Sequence, residues 1–277
     1  MCYLYELLLP YIGPRVVHTV QNAGEVCGMT LLNGELYVLR QRDLEQIEVY
    51  SITASALLRR LSVRRLRNFV DIASSDRQSC VFVADAGSAC VLRVRSDGSD
   101  GQWPLRGYPR ALSTTRTSNL LVTCGDGAGR QCSLVELSGE SGECLREIAL
   151  QVERAWHVVP LNDDDDDDDG RFVVSHGFFT TGRVSVVADD GRVVRSSGGG
   201  GDVDLNSPYR VAVDSDGFVF VADAGNRRLV LLDRSLRYVR CLLERLHYRP
   251  WRLCYDDVAR RLYVAETEGP SVVVVQL

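Results

Sequence analysis

One short segment recurs six times along this chain: an apolar strand carrying a valine, then small or acidic residues, then a turn. Its anchors are Val38 in LYVLR, Val83 and Val221 in VFVADAG, Val122 in LLVTCGD, Val174 in RFVVSHG and Val264 in LYVAETE. They follow one another at about 40–50 residues, the period of a propeller built from four-stranded blades. The one interval that overruns this period holds an aspartate run, Asp163 to Asp169. Six anchors predict an all-β, six-bladed propeller.

Turn signals punctuate each unit. RVAV (210–213) meets FVFVA (218–222) across Asp214-Ser215-Asp216-Gly217, Asn33-Gly34 separates TLL from ELYVL, and Asp190-Gly191 separates VSVVA from RVV. Such Asn-Gly and Asp-Gly pairs are strong hairpin signals. Several strands, such as Phe218 to Val221 and Val272 to Val275, are apolar at every position. A strand apolar on both faces needs cover on both faces, which neighbouring blades supply. The stretch 56–70 (ALLRRLSVRRLRNFV) is helical by composition, but it falls where one blade passes to the next, so strand plus loop is expected. The chain stops at SVVVVQL, the third strand of blade six. A spare strand, RVVHTV (15–20), is expected to complete that blade and close the ring, which removes exposed sheet edges. The expected domains are a 1–14 extension and a 15–277 propeller.

Composition narrows the partners. The hydrophobic share of 45% supports a real core. The net charge of −5 comes entirely from the aspartate run, and the rest of the chain is slightly basic. Global charge therefore draws the chain to neither DNA nor membrane. All 32 basic residues are arginine, as GC-rich coding sequence favours. The nine cysteines form no C-x-x-C pair, so zinc-site spacing is absent. The first residues lack the basic region of a signal peptide. A cytoplasmic, monomeric protein without cofactor is expected.

Blade five reads PYRVAVDSDGFVFVADAGNRRLVLLD (208–233). This closely resembles the NHL repeat, with its proline, its Gly turn, Val221-Ala222-Asp223 and Asn226-x-Arg228. Blade two keeps Val83-Ala84-Asp85 but has Ser88 in place of Asn. Blade six keeps Pro250 and Val264-Ala265-Glu266, and the other blades are degenerate. The chain over residues 15–277 is similar to the C-terminal propellers of tripartite-motif (TRIM-NHL) proteins. That resemblance implies a non-enzymatic module that binds a protein partner or single-stranded RNA through one propeller face.

Asp85, Asp223 and Glu266 recur at one blade position and are expected to bond the backbone of a nearby turn, with Arg228 as charge partner. The binding candidates cluster where blades begin: Arg154, Trp156 and His157; Tyr209 and Arg210; Trp251 and Arg252; and Tyr108 and Arg110. Arginine with aromatic planes suits phosphates and unstacked bases, or the hot spot of a protein interface. The aspartate run is expected to be a surface insertion and Gly198 to Gly201 a flexible loop. The histidines, His18, His157, His176 and His247, are expected at ends or loops, with His176 in a turn and none ligating metal. The rival from another class is a metal-dependent hydrolase or lactonase of the SMP-30-like six-bladed type. Such an enzyme needs acids aimed into the channel, where the inner strands offer mostly Val, Ala, Leu and Ser.

Overall fold

The computed structural model describes residues 14–21, 25–40, 46–63, 67–95, 100–126, 130–161, 170–267, 269 and 271–277. The aspartate run and residues 1–13 lie outside this set. The strands in chain order are β1 (Arg15–Gln21); β2 (Val26–Leu32), β3 (Glu35–Arg40), β4 (Gln46–Ser51) and β5 (Leu57–Ser62); β6 (Phe69–Ser75), β7 (Cys80–Asp85), β8 (Cys90–Arg95) and β9 (Asp100–Pro104); and β10 (Tyr108–Thr114), β11 (Leu120–Gly125), β12 (Cys132–Leu137) and β13 (Cys144–Leu150). Then come β14 (Ala155–Pro160), β15 (Phe172–His176), β16 (Arg183–Val187) and β17 (Val193–Gly198); β18 (Pro208–Val213), β19 (Val219–Asp223), β20 (Arg228–Leu232) and β21 (Tyr238–Leu243); and β22 (Pro250–Asp256), β23 (Arg261–Glu266) and β24 (Ser271–Gln276). Helix among the described residues is confined to single 3-10 turns at 179–181 and 224–226.

These strands make six antiparallel sheets of four. Five run consecutively, from β2-β3-β4-β5 to β18-β19-β20-β21, and the sixth is ordered β1-β24-β23-β22. In that sheet Val16 stands opposite Val275 and Gln21 opposite Ser271. The first strands of neighbouring sheets touch in sequence, β2 to β6 and on to β22, and β22 touches β2 again. The molecule is therefore a six-bladed propeller around a central channel. All six anchor valines sit on the second strand of their blades and are buried. The 56–70 stretch contains β5 and the start of β6 and no helix among its described residues.

The core lies between blades. One cluster joins Val219 and Val221 to Val173 and Val184 of blade four. Another joins Phe220 and Ala222 to Leu253 and Leu262 of blade six. Successive side chains of β19 point to opposite faces, so the all-apolar strand serves two interfaces at once. The same holds for β24, where Val272 and Val274 pack toward blade one and Val275 toward blade five.

The three recurring acids peg blades two, five and six to their own lead-in loops. Asp85 accepts from the backbone N–H groups of Arg67 (3.1 Å), Asn68 (2.8 Å) and Gly87 (3.0 Å). Burial opposes its ionisation, but these N–H groups outweigh that and hold its pKa below the usual range. Asp223 accepts from the Asn206 N–H at 2.7 Å, from Asn226 Nδ2 at 2.8 Å and from Arg228 Nε at 2.6 Å. Glu266 accepts from the Tyr248 N–H at 3.1 Å.

The blade-five hairpin is closed by Asp214, whose Oδ1 accepts from the N–H groups of Asp216 and Phe218. Gly217 takes φ 82° there, which suits a residue without Cβ. Burial pushes the Asp214 carboxyl up to about 6 from 3.8, and Asp216 and Asp257 add to the effect. The folded chain therefore binds this proton more tightly than the unfolded chain. The carboxylate's cost is small below pH 3.8, grows through that window, and is complete above about pH 6. Asp214→Asn keeps the acceptor and removes the charge. It is expected to raise the urea-unfolding free energy by ~1–2 kcal/mol at neutral pH and by much less near pH 4. A gain that does not change with pH contradicts this account.

Candidate functional site

The six inner strands share one irregularity. Each loses register around its second residue: between Val26 and Gly28, Phe69 and Asp71, Pro109 and Ala111, Ala155 and His157, Pro208 and Arg210, and Pro250 and Arg252. A bulge leaves one residue unpaired and re-aims its side chain. The six bulged residues, Cys27, Val70, Arg110, Trp156, Tyr209 and Trp251, all line one cavity of about 330 Å³ at the channel mouth. Glu25 borders the same cavity, and Arg210 and Arg252 line it from within the channel.

Immediately after the bulges come Gly28, Asp71, Ala111, His157, Arg210 and Arg252, which ring the channel one layer deeper. Arg210 donates from Nη2 to Asp71 Oδ2 at 2.8 Å, across the full width of the channel from blade five to blade two. Arg252 lies 3.8 Å from the other carboxylate oxygen. It also donates to the carbonyls of Cys27 and Val70, in blades one and two. Asp71 Oδ2 accepts the Leu112 N–H at 2.8 Å, which ties in blade three. His157 of blade four lies 3.0 Å from the Val211 carbonyl and 3.3 Å from the Leu112 carbonyl, between blades five and three. Four side chains thus link all six blades. Gly28 lets β2 approach the backbone of β6 closely: a Cβ there would come 2.9 Å from the Ile72 nitrogen.

The cluster holds two guanidinium groups against one carboxylate. Burial, and next Arg210, hold the His157 pKa well below 6.5, so the imidazole stays neutral and adds no charge. Burial and the neighbouring Arg210 pull Arg252 down to about 9. Arg210 is 3% exposed, and its Nη1 has no hydrogen-bond partner among the described residues. The cluster separates the mouth from a second cavity of about 250 Å³ on the opposite side, which Asp71, His157, Arg210 and Arg252 also line.

Around the mouth runs a chain of aromatic rings. Phe179 lies 5.7 Å from Phe178, Phe178 4.7 Å from Trp156, Trp156 5.1 Å from Tyr209, and Tyr209 4.5 Å from Trp251. Trp156 Nε1 donates to the Gly177 carbonyl at 2.8 Å. Arg110 stacks over Trp156 and Arg154 over Phe178. At the end of the row Phe179 is 71% exposed and holds φ 47°, a strained conformation for a residue with a Cβ. Ser207 Oγ accepts its N–H at 3.0 Å and fixes it there.

Most of the residues singled out in the sequence therefore lie on one face, but in three tiers. Trp156, Tyr209, Trp251 and Arg110 are at the mouth, while Arg154 lies in the loop before β14, against Phe178. Tyr108 is exposed at the start of β10. Arg210, Arg252 and His157 are buried on the inner strands themselves, not in loops at the blade entries. The bulge explains the difference, because it turns the residue before each of them outward. Pro109, Pro208 and Pro250 occupy equivalent positions ahead of the bulge. Aligning on them would have placed Arg110 with Tyr209 and Trp251, and not with Arg210 and Arg252. Asp71 was missed, because its segment, FVDIAS, carries neither the proline nor an aromatic at the bulge. His176 ends β15, not a turn, and lies 2.7 Å from Ser185 Oγ, with burial lowering its pKa to about 4. Among the described residues no three His, Cys, Asp or Glu side chains are grouped to hold a metal ion.

No protein-family model matches the chain, and no curated protein matches it. Solved structures do. A gluconolactonase from Xanthomonas campestris, XC5397, superposes with a TM-score of 0.71 at 13% identity, covering 97% of this chain and 96% of that one. Kuenenia stuttgartiensis hydrazine synthase gives 0.60 at 14% identity, over 90% of this chain and 83% of that one. The β-propeller domain of Cps50 (Swd1) from Myceliophteria thermophila gives 0.60 at 10% identity, over 95% and 99%. At these identities the likeness is one of fold: the chain is a six-bladed β-propeller.

Proposed function

We propose that this chain is a non-catalytic, NHL-type interaction module that binds a protein partner through the channel-mouth face. The observation that carries this reading is the row of five rings from Phe179 to Trp251, which spans blades four to six beside an open cavity. Aromatic side chains with arginine are what protein hot spots are made of. A strained, exposed phenylalanine is costly to keep unless it serves contact. The NHL assignment draws support from blade five, where Asp223, Asn226 and Arg228 form one bonded unit.

The gluconolactonase likeness favours a second reading, metal-dependent hydrolysis in the channel. The residues fit a metal poorly. The acid inside the channel, Asp71, already accepts from Arg210 and the Leu112 N–H, and two guanidinium groups beside it repel a cation.

Capture from extract, with and without ribonuclease, compares the unchanged protein with a Phe179→Ser/Trp251→Ser double variant. Protein partners are expected to survive the nuclease and to fall about tenfold or more with the variant. Loss on nuclease treatment, with binding that falls steeply in salt, makes RNA the ligand instead. Metal-dependent opening of a lactone by the purified chain establishes the hydrolase.

A further inference from the structure

The mouth has apolar walls and a cationic floor. Its walls are three of the row's rings, Trp156, Tyr209 and Trp251. Its floor is Arg210 and Arg252, 3% and 8% exposed. Buried charge is normally compensated, yet here two guanidinium groups face one carboxylate, and His157 between them is neutral. Arg210 Nη1 is left without a partner among the described residues. Within the channel the cluster is one negative charge short, with Glu25 at the lip acting on Arg252 from outside it, and the mouth is one of the two cavities that Arg210 and Arg252 line.

We propose that the channel mouth receives an acidic side chain of a bound peptide, with its carboxylate directed at Arg210 and Arg252 and flanking apolar residues against Trp156, Tyr209 and Trp251. The proposal rests on the reading that this face meets a protein, and adds which group on the partner it selects. The recessed floor decides between anions. A phosphodiester lies in mid-chain, with nucleotides on both sides, and cannot reach a floor that two buried side chains form at the base of a pit. A carboxylate at the end of a methylene stem can. The rim carries both Glu25 and Arg110 and so offers a polyanion no net positive charge, whereas a single carboxylate passes it and gains two cations below. A cavity of about 330 Å³ accommodates one such side chain and part of its neighbours.

The probe is the blocked tripeptide acetyl-Phe-Glu-Phe-amide, compared with acetyl-Phe-Gln-Phe-amide, inorganic phosphate and acetate. Binding to the unchanged protein is read by tryptophan fluorescence, since Trp156 and Trp251 face the mouth, and by saturation-transfer NMR. The Glu peptide is expected to bind about tenfold or more tightly than the Gln peptide, as a charge-assisted pair predicts. Acetate and phosphate are expected to be far weaker than the peptide. Two variants refine the test. Glu25→Gln leaves the floor intact and is expected to tighten the Glu peptide about twofold to fivefold, with no effect on the Gln peptide. Arg252→Met is expected to abolish the preference for Glu, provided its circular dichroism and thermal transition remain cooperative; should it fail to fold, Glu25→Gln and the peptide pair decide alone. Equal affinity for the two peptides, or no binding of either, overturns the carboxylate proposal and leaves the protein-binding face standing. Phosphate binding as tight as the Glu peptide also overturns it, in favour of a simple anion site. The reading of the face falls separately, when partner capture survives the Phe179→Ser/Trp251→Ser change.

Discussion

Asp71→Ala is expected to lower the unfolding free energy by ~3–5 kcal/mol, the cost of leaving a buried charge without its partner. Here the partners are two. Arg210 and Arg252 both lose their counter-ion, and the Leu112 N–H loses its acceptor. Both guanidinium groups are buried, at 3% and 8% exposure, so water replaces the lost carboxylate poorly. Asp71→Asn separates the contributions, because it keeps an acceptor for Leu112 while removing the charge. It is expected to recover a minor part of the loss. Pairing Asp71→Ala with Arg210→Met should recover more, since the remaining imbalance is then one cation that still bonds two carbonyls. Urea unfolding followed by tryptophan fluorescence measures all three. A loss under ~1 kcal/mol for Asp71→Ala would mean that water fills the channel freely and screens the charges.

The second large effect is expected at Asp223, which is fully buried. Asp223→Ala removes one acceptor from three donors, the Asn206 N–H, Asn226 Nδ2 and Arg228 Nε. The expected cost is ~3 kcal/mol, at the upper end for a charge-assisted network. Arg228 is partly exposed and re-solvates, and both it and Asn226 keep a bond to the Asp204 carbonyl. The Asn206 N–H has no such recourse. Hydrogen exchange across residues 204–207 should therefore accelerate more than exchange across β20. Uniform acceleration throughout the ring would mean that the acid supports the whole fold and not its own lead-in loop.

The fold was legible because its rule is local. Each second strand announces itself as a run such as LYVLR or VFVADAG, and turn residues such as Asn33-Gly34 mark its hairpin. The all-apolar strands even indicated that both faces are covered, as Val221 and Phe220 now are by different neighbours. The site was legible in part, and Phe178 and Phe179 of the aromatic row were not among the residues singled out. Trp156, Tyr209 and Trp251 stood out as large residues at the head of a blade. In the charged tier Arg210, Arg252 and His157 stood out, but Asp71 and the pairing did not, because Asp71 and Arg210 meet across a channel from blades far apart in sequence. No local pattern encodes that meeting. The one-residue bulge compounded the difficulty, because it decides which of two adjacent residues, Tyr209 or Arg210, faces outward.

The six bulges divide each inner strand between two duties. Residues after the bulge must satisfy their opposite numbers across the channel, so a change at Arg210 or Asp71 is felt by other blades. Residues at the bulge stand outside the ladder, and their side chains meet one another, the loops around the mouth and whatever enters it. Cys27, Val70, Arg110, Trp156, Tyr209 and Trp251 can therefore be exchanged at less cost to the ring than the four side chains below them. The scaffold presents, in effect, six adjustable positions around a fixed cationic centre, and swapping Cys27 or Val70 for larger side chains offers a route to new selectivity without redesigning the body that holds it.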